Sequence, residues 1–190
     1  MHYNFMTMKN VGCFLVSLLV LIAVPAHASD VTLFGGFQHQ GELTLRTGAT
    51  TLLVPSVETF NPKNFGVFGV RFGHGKVIGG EHTFAYNPNF IDSQAKAIIY
   101  NSNLLVQAPL PKLHPYGTVG LGSFFTFGSG PADIGTKFAV NYGGGLKILP
   151  VGPIGARIDV RGYAIPSIQS VIEKQTLNII EVSVGVVFSF

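Results

Sequence analysis

Apolar and polar residues alternate most regularly at the end of the chain, between Leu177 and Phe190. From Ile180 onward every even position is apolar, whereas the odd positions include Glu181 and Ser183. Side chains that alternate with a period of two lie on opposite faces of a strand. The stretch is therefore predicted to be a strand with one apolar face. It exceeds the roughly 5 to 6 residues of an average strand and meets the roughly 9 to 11 residues with which a tilted strand crosses a bilayer.

Seven earlier stretches show the same alternation and are separated by loops or by links that contain proline and glycine. These predicted strands are 31–46, 65–73, 77–86, 94–107, 116–127, 137–148 and 156–165. With the last stretch they make eight, an even number, so both ends of the chain fall on the same side of the sheet. An open edge in hydrocarbon would leave backbone N–H and C=O groups unpaired, which is costly, so the sheet must close. The pattern predicts an all-β fold, an eight-stranded antiparallel up-and-down transmembrane β-barrel.

Composition agrees with a membrane location. The chain is 47% hydrophobic and 11% charged, compared with about 25% charged residues in a typical soluble domain. Its one long apolar run, residues 11–24, lies close to the start of the chain. The composition is therefore that of a membrane protein, whereas the pattern is not that of membrane helices.

The apolar run at residues 11–24 is typical of a secretory signal peptide. Lys9 supplies the positive flank, and Ala26-His27-Ala28 matches an A-x-A cleavage site. We therefore expect residues 1–28 to be a cleaved signal peptide and residues 29–190 to form the barrel domain.

Cys13 lies near the start of this run with most of the apolar residues after it, whereas the acylated cysteine of a lipoprotein follows the apolar core, so lipidation is not expected. Met8 makes a more usual signal-peptide start than Met1, and both starts stay open. The mature chain has no cysteine, which excludes disulfide bonds and thiolate metal sites.

Charge is low and evenly spread. Once Lys9 is removed with the signal peptide, 11 of the 12 Lys and Arg residues remain against 9 Asp and Glu residues. No basic stripe exists, so nucleic acid is not an expected partner. His74 and His114 fall in two short turns that could be neighbours, but two histidines without a carboxylate make a poor metal site. We therefore expect no metal and no other cofactor.

Four short motifs carry a resemblance to a known family. They are Pro115-Tyr116-Gly117 in the fifth strand, Tyr142-Gly143-Gly144-Gly145 in the sixth, residues 157–163 (RIDVRGY) in the seventh, and Phe188-Ser189-Phe190 at the end. With them the mature chain resembles the small eight-stranded outer-membrane β-barrels of Gram-negative bacteria, typified by the OmpA transmembrane domain and OmpX. The resemblance implies a location in the cell outer membrane, in contact with outer-membrane lipids, and we expect a monomer by default. The first, third, fifth and seventh connections are generally longer and more polar, and bacterial barrels have short periplasmic turns and long external loops, so both termini are expected in the periplasm. The resemblance also implies that Phe188 and Phe190 serve as the recognition signal for the barrel assembly machinery.

Charged residues on the polar faces of the strands are the first candidates for function. They are Glu42, Arg46, Arg71, Glu81, Lys147, Arg157, Asp159, Arg161 and Glu181. An eight-stranded barrel has an interior just wide enough for side chains to fill it, and buried charges must pair because an unpaired buried ion is costly. We expect a solid polar core with an ion-paired network that is densest around Asp159. The alternative is a narrow gated channel through the same charges.

His82 is unusual because it falls on the apolar face of the third predicted strand. A hairpin between the third and fourth strands would bring Ser102, also on that face, close to it. This pair resembles in outline the outer-membrane lipid A deacylases, which place a Ser/His/acid set on the outer surface of a barrel. Glu81 faces the lumen, so the acid is missing, and we expect no catalytic residues and no enzyme.

The interpretation that follows is a structural or surface-binding barrel that displays external loops, chiefly 47–64 and 166–176, because loops on rigid scaffolds carry function. A narrow channel or transporter for small solutes is the first alternative. A hydrolase that modifies lipid A is the second. A secreted soluble barrel is disfavoured, because apolar residues continue along the outer face of nearly every strand.

Overall fold

The computed structural model describes residues 29–41, 43–46, 57–60, 63–90, 95–128, 134–149, 152–169 and 174–190. The expected signal peptide, Glu42 and most of the connection 47–64 lie outside these ranges. Nowhere in the described part of the chain is there a helix long and apolar enough to cross a membrane.

The described residues form ten strands. They are β1 (Ser29–Gln40), β2 (Leu43–Arg46), β3 (Val57–Phe60), β4 (Asn64–His74), β5 (Ile78–Asn87), β6 (Ala95–Gln107), β7 (Leu113–Gly128), β8 (Thr136–Ile148), β9 (Ile154–Gln169) and β10 (Lys174–Ser189). Burial alternates along the long strands, most regularly in β6, where buried residues are separated by exposed or half-buried ones. The period-two pattern of the sequence is thus the inside–outside pattern of the fold.

Eight of the ten strands form a closed barrel in the order β1-β10-β9-β8-β7-β6-β5-β4, and all neighbours are antiparallel. The barrel is closed by β1 and β10, which pair with Phe37 opposite Val182. The predicted eight-stranded antiparallel barrel is confirmed. We call the end where β1 begins and β10 ends the terminus end, and the opposite end the loop end.

The strands are staggered around the barrel. Starting from Phe34 and stepping from each residue to its partner on the next strand, through β4, β5, β6 and β7, one reaches Lys137 of β8. Stepping the other way, through β10 and β9, one reaches Lys147 of the same strand, ten residues further along. Such a stagger tilts the strands, typically by about 35 to 45° in barrels. The depth of a side chain in the lumen therefore depends on its strand as well as on its place along that strand.

The first predicted strand, 31–46, needs a correction. The barrel strand ends at Gln40, and Leu43–Arg46 pairs with Val57–Phe60 in a separate two-stranded sheet, which we call the ribbon. Leu43 faces Phe60 in the same register in which His39 faces Asn64, so the ribbon continues the β1–β4 hairpin beyond the barrel. Alternation persists there because the ribbon is also a strand pair. The sequence pattern places Arg46 in the barrel wall. In the structure, the backbone of Arg46 lies in the ribbon instead.

Candidate functional site

Charged side chains fill the middle of the barrel interior. Six of the nine charged residues predicted to face the lumen meet there in one fully buried cluster, which we call the ion network. Its members are Arg71 of β4, Glu81 of β5, Arg157, Asp159 and Arg161 of β9, and Glu181 of β10. They face inward because alternation places every second residue of these strands on the lumen side.

Glu81 connects opposite walls of the barrel. β5 and β9 are four positions apart in the closed order of eight strands, so they face each other across the lumen. Arg157 Nη2 donates a hydrogen bond to Glu81 Oε2 at 2.5 Å, and Arg161 Nη2 donates to Oε1 at 2.6 Å. Each carboxylate oxygen is therefore held by its own guanidinium, and hydrogen bonds between ionised groups are the strong ones. This contact crosses the centre of the lumen.

Asp159 is the acceptor that all three arginines of the ion network share. Arg71 Nη1 lies 3.1 Å and Arg157 Nε 2.9 Å from Asp159 Oδ2. Arg161 Nη2 lies 3.0 Å from Oδ1, and the hydroxyl of Tyr116 donates to the same oxygen. Asp159 lies between Arg157 and Arg161 on one face of β9, the arrangement that the sequence places at the densest part of the network.

Glu181 joins the ion network from another wall. Arg71 Nη2 donates to Glu181 Oε1 at 2.6 Å, while Gln38 Nε2 and the Tyr163 hydroxyl donate to Oε2 at 2.7 and 2.9 Å. Arg161 is the pairing partner of Glu181 across β9 and β10, yet the ion pair goes to Arg71 on the far side of β1. The tilt of the strands, and not adjacency in the sheet, decides which charges meet.

The ion network is electrically balanced. It contains three guanidinium groups and three carboxylates, and each of them has at least one ion pair within 3.1 Å. Removing one partner of a buried pair leaves an uncompensated charge, which is far more costly than replacing both partners. The six charges therefore depend on one another.

Glycines on the lumen side provide space for these large side chains. A Cβ atom on Gly143 of β8 would lie 2.3 Å from the carbonyl oxygen of Val160 and 2.8 Å from Cα of Arg161. A Cβ on Gly145 would lie 2.3 Å from the hydroxyl oxygen of Tyr116. Both contacts are too close for real atoms, so these positions accept no side chain unless the wall or the network moves.

Gly143→Ala is expected to lower the free energy of unfolding by about 1 to 3 kcal/mol, the usual cost of overpacking. Gly117→Ala is the matched control, because Gly117 lies on the adjacent strand and its added Cβ would be 3.8 Å from the nearest atom, the carbonyl oxygen of Gly143. Urea unfolding in lipid vesicles measures both. Equal midpoints for the two variants would contradict the steric explanation.

Lys147 forms a separate ion pair nearer the terminus end. Its Nζ lies 2.5 Å from Asp30 Oδ2 and 5.6 Å from the ring centroid of Tyr116. The alternation of residues correctly predicts Lys147 inside the barrel, but Asp30 lies one residue before the first predicted strand and was not predicted. The alternation could have indicated it: Asp30, Thr32 and Gln38 are separated by even numbers of residues and so share one face of β1, and Thr32 and Gln38 are buried.

The loop end of the interior is apolar, which corrects the expected solid polar core. A second cluster of buried side chains packs there, which we call the apolar layer. It includes Phe65, Val67, Phe90, Ile99, Phe124, Ile165, Leu177 and Ile179. Phe90 lies between Phe65 and Phe124, with ring centroids 5.5 and 5.8 Å away. Tyr163 joins the two layers, because its ring packs on Phe124 at 5.6 Å while its hydroxyl reaches the ion network.

The remaining predicted residues are Glu42, Arg46, Phe188 and Phe190. Glu42 lies outside the described residues, and the side chain of Arg46 is not described. Phe188 belongs to the last part of β10, opposite Val31, and Phe190 follows the end of that strand with 79% of its surface exposed. The role of Phe188 and Phe190 in assembly stays a prediction.

His82 and Ser102 lie directly opposite each other on the outer surface, in the pairing of β5 with β6. His82 Nδ1, however, is 3.2 Å from the hydroxyl oxygen of Tyr100, and the two rings are parallel to within 6°. All acidic side chains that the structure describes take part in lumen ion pairs. In the described part of the chain, no carboxylate accompanies His82 and Ser102.

The histidines that the structure describes do not gather into a metal centre. His74 of β4 and His114 of β7 are separated by two strands, whereas His74 lies beside His82 with ring centroids 6.5 Å apart. Among the described residues no group of three or more His, Cys, Asp or Glu side chains could hold a metal ion.

The outer surface of the barrel has the character expected of a membrane-spanning protein. Large apolar side chains stand exposed around it, among them Phe37, Ile180, Leu121 and Tyr142, while the six charged side chains of the ion network are buried inside. This inverted arrangement defines a β-barrel with a lipid-facing apolar belt. The chain belongs to the outer membrane protein beta-barrel domain family, whose family model matches residues 16–190.

Solved structures of bacterial outer-membrane proteins share this fold. Neisserial surface protein A is 12% identical, with a TM-score of 0.62 over 86% of this chain and 99% of that one. The N-terminal barrel of Pseudomonas aeruginosa OprF is 12% identical, with a TM-score of 0.54 over 87% and 98%. OprG from the same organism is 13% identical, with a TM-score of 0.51 over 87% and 97%. A comparison with curated protein sequences finds no match. At these identities the likeness shows the fold alone, and the family places the protein in the outer membrane.

Proposed function

We propose that the protein is a structural, surface-binding barrel that is fixed in the outer membrane and displays its long first connection, residues 41–63, outside the cell. The observation that carries this proposal is the filled interior. The ion network joins opposite walls, and the apolar layer packs between it and the loop end. A lumen filled by side chains favours a supporting frame over a pore.

Connection lengths support the proposed orientation, with both termini in the periplasm. At the terminus end the strands are joined by residues 75–77, 108–112 and 149–153. At the loop end the first connection runs from 41 to 63 and includes the ribbon, whereas most of the predicted loop 166–176 belongs to β9 and β10, which are joined by residues 170–173. Bacterial barrels have short periplasmic turns and longer external loops. The ribbon would then stand on the cell surface, where a loop on a rigid scaffold can bind a ligand.

Refolded protein in a planar lipid bilayer is expected to give no reproducible conductance steps, because side chains fill the lumen at two depths. A change in electrophoretic mobility on heating checks that the barrel is folded, and an open porin measured in the same bilayers checks sensitivity. Reproducible steps from the folded, unmutated protein would overturn the proposed frame and favour a narrow channel through the ion network.

An epitope tag inserted between residues 50 and 51 is expected to bind antibody on intact cells, because this connection continues from the ribbon. The same tag between Lys76 and Val77, in the short turn between β4 and β5, is expected to bind only after the outer membrane is permeabilised. The opposite result would reverse the proposed orientation.

A further inference from the structure

The ion network fills the lumen unevenly. The contact of Arg157 and Arg161 with Glu81 joins β9 to β5, so it divides the cross-section of the barrel into two halves. The half along β10, β1 and β4 contains large side chains, among them Arg71, whose guanidinium carbon lies 3.5 Å from the centroid of the Phe34 ring. The half along β6, β7 and β8 contributes none of the six charged groups of the network.

Small side chains line this second half, which we call the asparagine wall. Its lumen-facing residues at the depth of the ion network are Asn101 and Asn103 of β6, Thr118, Gly120 and Gly122 of β7, and Asn141 and Gly143 of β8. Asn141 Nδ2 donates to Asn101 Oδ1 at 3.3 Å across the intervening strand β7. Glycine permits this, because a Cβ on Gly120 or Gly122 would collide with an asparagine oxygen. Asparagine and threonine side chains are too short to fill the space that arginine fills in the other half.

Polar atoms on and beside the asparagine wall lack partners. Six buried atoms have no hydrogen-bond partner among the described residues, namely Asn101 Nδ2, Asn103 Oδ1, Thr118 Oγ1, Asn141 Oδ1, Arg157 Nη1 and Arg161 Nη1. An unsatisfied buried polar atom is costly, and native proteins contain few of them. The six include N–H donors, carbonyl acceptors and a hydroxyl group that does both. Water donates and accepts, so it suits this mixed set, whereas an ion would satisfy only one kind of atom.

Solvent reaches the asparagine wall from the terminus end. Among the polar lumen-facing residues of β6, Gln107 at the terminus end is 9% exposed, Asn103 is 5% exposed and Asn101 is fully buried. Toward the loop end the same face of β6 continues with Ala97 and Ile99, and both are fully buried. Exposure therefore decreases from the terminus end inward and does not rise again along this strand.

The apolar layer ends the polar space on the loop side. The ring of Phe90 packs between Phe65 of β4 and Phe124 of β7, so aromatic side chains connect two remote walls of the barrel. Polar residues of β1 and β5 that face this layer bind each other, since Asn87 Nδ2 donates to Gln38 Oε1 at 3.1 Å. Apolar constrictions close membrane pores by excluding water.

We propose that the lumen is a channel open at one end only: water enters from the terminus end and binds along the asparagine wall past the ion network, and the apolar layer alone closes it. The inference rests on the proposed closed frame and identifies the layer that closes it. Bound water gives Arg157 Nη1 and Arg161 Nη1 the partners that the protein does not supply, as buried water does for polar groups in other proteins. The ion network crosses the lumen but is not its seal.

Water contacts in the unmutated protein test the hydration. In detergent micelles, nuclear Overhauser contacts with water are expected for the side-chain amide of Asn101, because its Nδ2 has no protein partner. Gln38 is the control, because it is equally buried but its Nε2 donates to Glu181 at 2.7 Å. The methyl groups of Ile99 in the apolar layer are expected to show no contact. An absent signal at Asn101, or an equal signal at Gln38 or Ile99, would overturn the proposal.

Variants measured in a planar lipid bilayer test the seal. Phe90→Ser combined with Phe124→Ser is expected to give reproducible conductance steps, because hydroxyl groups replace two rings of the constriction. Glu81→Gln combined with Arg161→Gln is expected to give none, because the apolar layer remains. Phe127→Ser is the control for loss of an aromatic ring and is also expected to give none, since Phe127 faces outward on β7.

The change in electrophoretic mobility on heating shows whether each variant is folded. A folded double-serine variant without steps, or a folded double-glutamine variant with steps, would overturn the inference and leave the closed frame intact. Steps from the unmutated protein would contradict the frame itself. The water contacts are measured without any substitution, so they decide the question even if the double-serine variant does not fold.

Discussion

Glu81→Gln is expected to lower the free energy of unfolding by about 3 to 5 kcal/mol, the cost of breaking a buried ion pair from one side. The substitution keeps the shape of the side chain but removes the charge that Arg157 and Arg161 share at 2.5 and 2.6 Å. Uncompensated positive charge would then remain in the middle of the barrel. Urea unfolding in lipid vesicles measures the loss, followed by circular dichroism because the chain has no tryptophan.

Two further variants distinguish the loss of this ion pair from a nonspecific loss of stability. Lys76→Gln changes a charge in an exposed turn and is expected to alter stability by less than about 0.5 kcal/mol. Glu81→Gln combined with Arg161→Gln restores the charge balance and is expected to recover part of the loss. If Glu81→Gln alone behaves like Lys76→Gln, the ion network does not stabilise the barrel.

Phe124→Ala is expected to lower the free energy of unfolding by about 3 to 5 kcal/mol, the usual cost of removing a buried aromatic side chain. Phe124 is fully buried, and its ring packs on Phe90 and Tyr163 with centroids 5.8 and 5.6 Å away. Its loss would leave a cavity in the apolar layer that the rigid barrel wall cannot close. The same urea titration measures it.

Phe127→Ala provides the matched control on the same strand. Phe127 faces outward and is 41% exposed, so lipid tails can occupy the space that the ring leaves. Its loss of stability is expected to be clearly smaller than that of Phe124→Ala. Equal losses would mean that Phe124 is not part of a tightly packed layer.

The two interior layers rest on different physical chemistry. The ion network gains its stability from charge balance, since each carboxylate is held by guanidinium groups from other positions. The apolar layer gains its stability from close packing, as the core of a soluble protein does. Tyr163 belongs to both layers, because its ring packs in the apolar layer and its hydroxyl binds Glu181 of the ion network.

Much of the fold is predictable from the alternation of residues. The number of barrel strands, their antiparallel order and the inward direction of Arg71, Glu81 and Glu181 all follow from a period of two. The end of the first strand does not follow, because the ribbon alternates as a barrel strand does. The apolar layer does not follow from the alternation either. Residues such as Ile99 and Phe124 are apolar although they face the lumen, so the pattern alone does not show whether they point inward or toward lipid.

The sequence by itself determined the class of fold, the lipid-facing belt and the inward direction of the six charges of the ion network and of Lys147, because each of these depends on which face of a strand a residue occupies. Only the closed barrel decided which groups meet: Glu81 with Arg157 and Arg161, Glu181 with Arg71, Lys147 with Asp30, and His82 with Tyr100. Alternation specifies a face but not a depth. Depth is set by the stagger of the strands, which amounts to ten residues once around the barrel and exists only when the barrel closes.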